Sequence, residues 1–294
     1  MDISKNHIIV IYMTQLKIIT VSLFVSFFLF SCTSTLSWPD PPLYQEPEPA
    51  NTIFRKMSRT EIMEQITGHY AHYDVVSYED VSGRAPVRSY IITYGFTDFF
   101  IEDGELYESD IFLHAENILN QSNVESRLSD EATRAIKSRV QKVDLELKDG
   151  TWHLYREATP TLLGIKGDPS QPLEQDKNSA NFTDPDNDGY PGVTVHMTVG
   201  KFIKARLYLT RREIFSYHLR LFDQDTFYGT VIDQSEQFII DATMRALRES
   251  EKALQHPDPS MSPIFLKRVS PEIDTWDELK TKRDELFPPE PAFK

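Results

Sequence analysis

Cysteine is almost missing from this chain: Cys32 is the only one among 294 residues. No intrachain disulfide can form, so packing and hydrogen bonds must hold the fold. Positive charge is scarce too. The formal net charge is −14, and the leader up to Ser31 carries only Asp2, Lys5 and Lys17, so the remainder is more acidic still. An acidic surface excludes general electrostatic binding to nucleic acid and is repelled by anionic membranes. Among apolar stretches, Ile18 to Ser31 is the outstanding uncharged run, and it falls short of the roughly 20 residues a spanning helix needs. Neither a Gly-x-Ser-x-Gly elbow nor a glycine-rich phosphate loop occurs, and the sequence shows no catalytic constellation.

The apolar run follows a polar start and ends at Cys32, as a signal peptide would. Leu29-Phe30-Ser31-Cys32 resembles the bacterial lipobox, although Phe30 is bulkier than that pattern usually carries. The resemblance implies a lipoprotein with palmitate-type acyl chains anchoring Cys32 to the membrane of the cell envelope. Thr33, in place of an aspartate after the cysteine, favours the outer membrane by similarity to enterobacterial sorting. An ordinary secretory signal or single anchor helix with an incidental thiol is the alternative. Met13 is a second candidate start. The next stretch interleaves Pro39, Pro41, Pro42, Pro47 and Pro49 with acids and reads as an extended, solvated tether. The expected organisation is a leader over 1–31, lipidated Cys32 and tether over 32–57, a β-rich body over 58–270, and a C-terminal helix and tail over 271–294. A division of the body near 165–183 stays open.

Within the body, Ser58 and Glu61 form a capping-box pair, which predicts a short helix over 58–65. Alternation and β-branched or aromatic residues predict strands over 69–78, 87–96 and 105–114, with Asp103-Gly104 as a hairpin turn. Helical spacing from Ser129 to Val140 predicts a helix, and Asp149-Gly150 predicts a second hairpin. Closely spaced strands follow from Val193 to Asp241. Ala242 to Leu254 reads as a helix or a charged loop, Ile264 to Val269 as a last strand, and Asp274 as the cap of a final helix. About ten strands without a βαβ rhythm predict a mainly β protein. The expectation is an antiparallel meander forming a barrel-like or two-sheet body with a few short helices.

One loop carries the most specific chemistry. Asp184, Asp186 and Asp188 alternate and Gly189 follows, matching the first half of an EF-hand loop; the twelfth position is Val195, and Pro185 and Pro191 oppose flanking helices. The spacing predicts a shorter calcium loop at the mouth of a strand. Further oxygens would come from the Tyr190 backbone carbonyl, Asp176, Thr183 or a distant carboxylate. The alternative is a polar turn with no ion.

The segment Asp184 to Val269 resembles a group of uncharacterised bacterial lipoproteins that share D-x-D-x-D-G-x-P-G-V-T-V, strands with a G-x-V turn, a Pro-Asp-Pro break and a closing strand. The counterparts are Asp184 to Val195, Gly229-Thr-Val231, Pro257-Asp258-Pro259 and Phe265 to Val269. The resemblance covers about a third of the chain. It implies a calcium-loop β lipoprotein and no activity.

Other chemistry is weaker. His69 and His72 fall on opposite faces of a strand, and His114, His153, His196 and His218 are scattered through strands as packing or surface residues. Arg211-Arg212 reads as a surface strand turn. Tyr70, Tyr73, Tyr78, Tyr90, Tyr94, Phe96, Phe99 and Phe100 could fill a core or line a cavity for a small apolar ligand, as in lipocalin-type carriers. The expected function is a non-enzymatic envelope lipoprotein with a structural calcium ion and an interaction or structural role. A lipocalin-like carrier is the alternative, and a metal-dependent hydrolase ranks below it.

Overall fold

The computed structural model describes residues 36–47, 56–81, 85–138, 140–200, 202–248 and 253–294. The leader and Cys32 lie outside the described residues, as does the tether segment 48–55. The chain is mainly β. Its strands are β1 (Gly68–Asp80), β2 (Val87–Glu102), β3 (Glu105–Leu119), β4 (Val124–Leu128), β5 (Val140–Lys142), β6 (Asp144–Lys148), β7 (Thr151–Arg156), β8 (Thr161–Leu163), β9 (Val193–Val199), β10 (Ile203–Glu213), β11 (Phe215–Asp223), β12 (Thr226–Asp233), β13 (Glu236–Ala242), β14 (Leu254–Gln255) and β15 (Pro263–Arg268). All fifteen belong to one antiparallel sheet, curled into a half-barrel. The two-sheet alternative is therefore set aside.

Local chemistry explains the hairpins. Asp103-Gly104 and Asp149-Gly150 both place two successive residues at positive φ, which is the turn whose twist matches a right-handed hairpin. The first joins β2 to β3 and the second β6 to β7. Helix α1 (Arg59–Ile66) starts at Ser58, whose hydroxyl accepts from the Glu61 N–H while the Glu61 carboxylate accepts from the Ser58 N–H. It buries Ile62, Met63 and Ile66, each of which contributes about 1.5–3 kcal/mol.

The order across the sheet is β13-β10-β9-β4-β3-β2-β1-β15-β12-β11-β7-β6. This is not a plain meander. The last strand, β15, inserts between β1 and β12, pairing Phe265 with Tyr73 on one side and with Tyr228 on the other. Alternation then divides the side chains. Tyr70, Phe99, Leu154, Leu219, Phe227 and Leu266 join α1 in one core on one face of the sheet. On the opposite face, Tyr73, Tyr90, Tyr94, Phe96, Tyr228 and Phe265 are covered by helix α3 (Trp276–Leu286), the C-terminal tail and residues 36–47.

The spacer expectation needs correcting for residues 36–47. Trp38, Leu43 and Tyr44 pack against that second core. The Tyr44 hydroxyl lies 2.8 Å from that of Tyr73, and burial pushes the Tyr44 hydroxyl up to about 12. Ser37 and Lys294 exchange two backbone hydrogen bonds at 2.7 and 2.9 Å. Apolar burial of three large side chains outweighs the solvation of the neighbouring acids.

Other local expectations change as well. The Ser129 helix is only α2 (Asp130–Arg134); the chain is then drawn into β5, where it pairs with β3 and leaves Val140 exposed. Between β13 and β14, the described residues hold only a 3-10 turn, Arg245–Leu247. Thr275, not Asp274, caps α3. Arg211 and Arg212 lie within β10, bonded to Glu213 and Glu236, rather than at a turn. Among the described residues no helix is long and apolar enough to cross a membrane.

Gly229, expected in a turn, sits inside β12 opposite Leu219. A Cβ there would lie 1.8 Å from the His218 carbonyl oxygen, so the strands approach too closely for any side chain. Gly229→Ala should destabilise the body by about 1–3 kcal/mol or more through forced strand separation. Urea unfolding of the variant beside the parent protein measures this directly.

Candidate metal centre

The long connection after β8 is fastened before it reaches the aspartates. Ile165 bridges Phe182, the Thr183 N–H donates to the Gly164 carbonyl at 2.9 Å, and the Gly192 N–H donates to the Thr183 carbonyl at 2.7 Å. The last two contacts hold the base of the loop closed. Gly192, at φ 84°, lets the backbone pass where a Cβ would meet the Leu209 carbonyl oxygen at 2.3 Å. Val193 then enters β9 fully buried beside Leu163 and Leu209. Tyr190 stacks on Tyr208 with ring centroids 4.5 Å apart.

Within this frame Asp184, Asp186 and Asp188 come together as the sequence predicts, with oxygens from all three within 4.8 Å of one another. Each carboxylate is oriented by backbone N–H groups. Asp184 accepts from Asp188 at 3.1 Å and from Gly189 at 2.9 Å. Asp188 accepts from Tyr190 at 3.0 Å, and Asp186 Oδ2 accepts from Thr194 at 2.8 Å. The other Asp186 oxygen, Oδ1, is buried without a protein hydrogen-bond partner. Asp186 is half-buried while its two neighbours are exposed. Partial burial, chiefly, and the nearby Asp188 charge raise the Asp186 carboxyl above its ordinary value, although the Thr194 N–H opposes this. The trio is an oxygen-rich cluster that could hold a metal ion.

Two of the further ligands considered from sequence are engaged elsewhere: the Asp176 carboxylate accepts from Asn178 within its own turn, and the Thr183 carbonyl accepts from Gly192. Tyr190 gives its N–H to Asp188 and its ring to Tyr208, contacts that do not involve its carbonyl.

The remaining sequence candidates fall elsewhere. His69 and His72 do point to opposite faces. His69 bonds Asp98 at 2.7 Å and the Ile273 carbonyl at 3.0 Å. The eight aromatics do not line one cavity: Tyr70, Tyr78 and Phe99 belong with one core, Tyr73, Tyr90, Tyr94 and Phe96 with the other, and Phe100 stacks on Tyr107.

A buried polar network escaped the sequence reading. His72 bonds Asp74 at 2.9 Å and Thr97 at 2.9 Å, and the Thr97 hydroxyl donates to Asp110 at 2.6 Å. Arg156 lies 2.9 Å from Glu108 and 3.8 Å from Asp110, with its guanidinium 4.0 Å above the Phe215 ring. The Glu108 contact is close but not aligned as a hydrogen bond. A cavity of about 30 Å³ beside Asp110, Arg156 and Glu213 has room for a water molecule or two. The clue in the sequence was the row Tyr70, His72, Asp74, Val76, in which polar residues occupy core-facing positions.

No family model, no curated protein and no solved structure matches this chain.

Four titrating groups of this body, Asp74, Glu108, His69 and His114, share a sign. Burial raises the carboxyls of Asp74 and Glu108. The hydrogen bond to Asp98 raises His69; for His114, burial pulls down but the Glu116 and Asp130 carboxylates prevail. In each case the folded state holds a proton that the unfolded chain has released. The two histidines therefore contribute stability below about pH 6.5 that is lost as pH rises through their raised values. For the two acids, stability falls as pH rises from about 4 toward theirs. Between pH 8 and 5.5 His69 and His114 should raise the melting temperature as pH falls, against the opposite contribution of His153 and His218, whose values burial lowers. In thermal scans the His69→Asn, His114→Asn variant should therefore lose melting temperature relative to the parent protein by more at pH 5.5 than at pH 8.

Proposed function

We propose that this chain is a lipid-anchored protein of the bacterial cell envelope, held to the outer membrane through Cys32. Its β body uses a calcium ion as a structural clamp on the loop Asp184–Asp188. The proposed role is interaction or scaffolding rather than catalysis. The observation that carries the reading is Asp186: a half-buried carboxylate with one buried oxygen lacking a partner, set between two more carboxylates. Like charges so placed repel, and a hard divalent cation removes both the repulsion and the unsatisfied oxygen. Calcium fits the all-oxygen donor set, and water supplies whatever ligands the protein does not. Because the loop feeds β9, which pairs with both β4 and β10, fixing it would secure one flank of the half-barrel.

Calorimetry of the full-length protein in detergent tests the clamp. One calcium per chain should bind, and the folded state should gain about 1.4 kcal/mol at ten times the dissociation constant, read as a rise in melting temperature. Asp186→Asn with Asp188→Asn keeps the acceptors for Thr194 and Tyr190 but should abolish both effects. Affinity should fall on acidification, because the raised Asp186 carboxyl must release its proton to bind the ion. Unchanged calcium response in the variant would reduce the loop to a polar turn.

The anchor has its own test. Mass spectrometry of protein from bacterial membranes should find acyl chains on Cys32, and Cys32→Ala should move the body out of the membrane fraction. An unmodified thiol at Cys32 would defeat the lipoprotein reading while leaving the ion site standing.

A further inference from the structure

Two histidines that lie 65 residues apart in sequence meet on the outer surface of the sheet. His153 comes from β7 and His218 from the adjacent β11, where Arg220 pairs with His153 and Tyr155 with His218. His153 Nδ1 lies 2.7 Å from His218 Nε2, so one nitrogen donates and the other accepts. Their rings are nearly parallel, with centroids 4.9 Å apart, and Tyr155 stacks on His218 at 4.5 Å. On the other side of His153, β6 places Glu146 directly opposite, exposed to solvent. The flanking residues Trp152, Leu154 and Leu219 are buried in the core, which fixes the strands beneath the two rings.

We propose that His153 and His218 form a binding site for a divalent transition-metal cation of the zinc and nickel class, with Glu146, opposite His153 on β6, as a third ligand once its side chain turns toward the ion. Imidazole nitrogens suit these ions, and calcium does not compete for them. Metal–nitrogen bonds of about 2.0–2.1 Å put two nitrogens of a tetrahedral site about 3.3 Å apart, so the rings need only part by about half an ångström. Both rings are available as neutral ligands. Burial is the main cause lowering each, and the positive charges of Arg220 and Lys148 add to it, while Glu146 pulls His153 the other way. Arg220 is itself paired with Glu46, which limits its repulsion of an incoming cation. A bound ion would tie β7 to β11 near the open edge formed by β6.

The site is separate from the aspartate loop in position and in donor chemistry, so the two readings fail independently. The experiment is zinc titration of the tag-free full-length protein in detergent, by calorimetry in a non-chelating buffer. One zinc should bind with micromolar affinity, unaffected by excess calcium. His153→Ala and His218→Ala should each weaken it by roughly tenfold or more, and Glu146→Gln should weaken it less. His196→Ala, at an exposed histidine elsewhere, should leave it unchanged, as should Asp186→Asn with Asp188→Asn. Nitrogen NMR of the parent protein, which requires no variant to fold, should show the His153 Nδ1 and His218 Nε2 signals shifting together on zinc addition. Zinc binding that survives both histidine substitutions would overturn the proposal. So would a folded parent protein whose two histidine signals do not move at a severalfold excess of zinc.

Discussion

The strand Pro263–Arg268 hydrogen-bonds to β1 along one edge and to β12 along the other, and the path of the sheet between those strands runs through it. Its side chains serve both cores at once, with Leu266 on one face and Phe265 on the other. Without this C-terminal segment, β1–β5, β8–β10, β13 and β14 form one sheet fragment and β6, β7, β11 and β12 another, each with an exposed edge. Contacts this far apart in sequence are costly to bring together and slow to form. The sheet is therefore joined only through residues near the end of the sequence.

The two faces of that sheet are built differently. The face covered by α3 and the two terminal segments is dense in aromatic contacts, such as Tyr73 on Phe287 at 5.2 Å and Tyr90 on Phe293 at 4.4 Å. The other face mixes an aliphatic core with buried charge at Glu108, Asp110 and Arg156. Buried ion pairs are weak contributors to stability, because desolvation offsets their attraction. They are strong specifiers of register, however. A slip of one residue in β1 or β3 would carry His72, Asp74 and Asp110 to the aromatic face, away from their partners.

Much of this was readable in the chain. The two Asp-Gly hairpins, the Ser58–Glu61 capping box and the clustering of Asp184, Asp186 and Asp188 each rest on interactions a few residues long, which sequence specifies directly. What escaped is non-local. Period-two alternation tells which residues share a face but not which strand lies beside them, so the insertion of β15 and the meeting of His153 with His218 left no local trace. The long Ser129 helix was a correct propensity overruled by pairing of Val140–Lys142 with β3. Gly229 was misread because a glycine needed for close strand approach looks the same as one needed for a turn. The proline-rich 36–47 segment has the composition of a spacer, but Trp38, Leu43 and Tyr44 give it a surface on which to dock.

That docking has a mechanical side. Ser37 and Lys294 pair backbone to backbone, and Trp38 sits 5.1 Å from Phe293, so both ends of the described body are clasped at one spot. A load entering from residue 36 would not be passed straight into the sheet. It would first meet this small aromatic clasp, held by two backbone hydrogen bonds and ring contacts rather than by a long run of strand pairing. The clasp would thus act as a fuse, yielding before the β-sheet does and leaving its hydrogen-bonded core intact when the body is pulled.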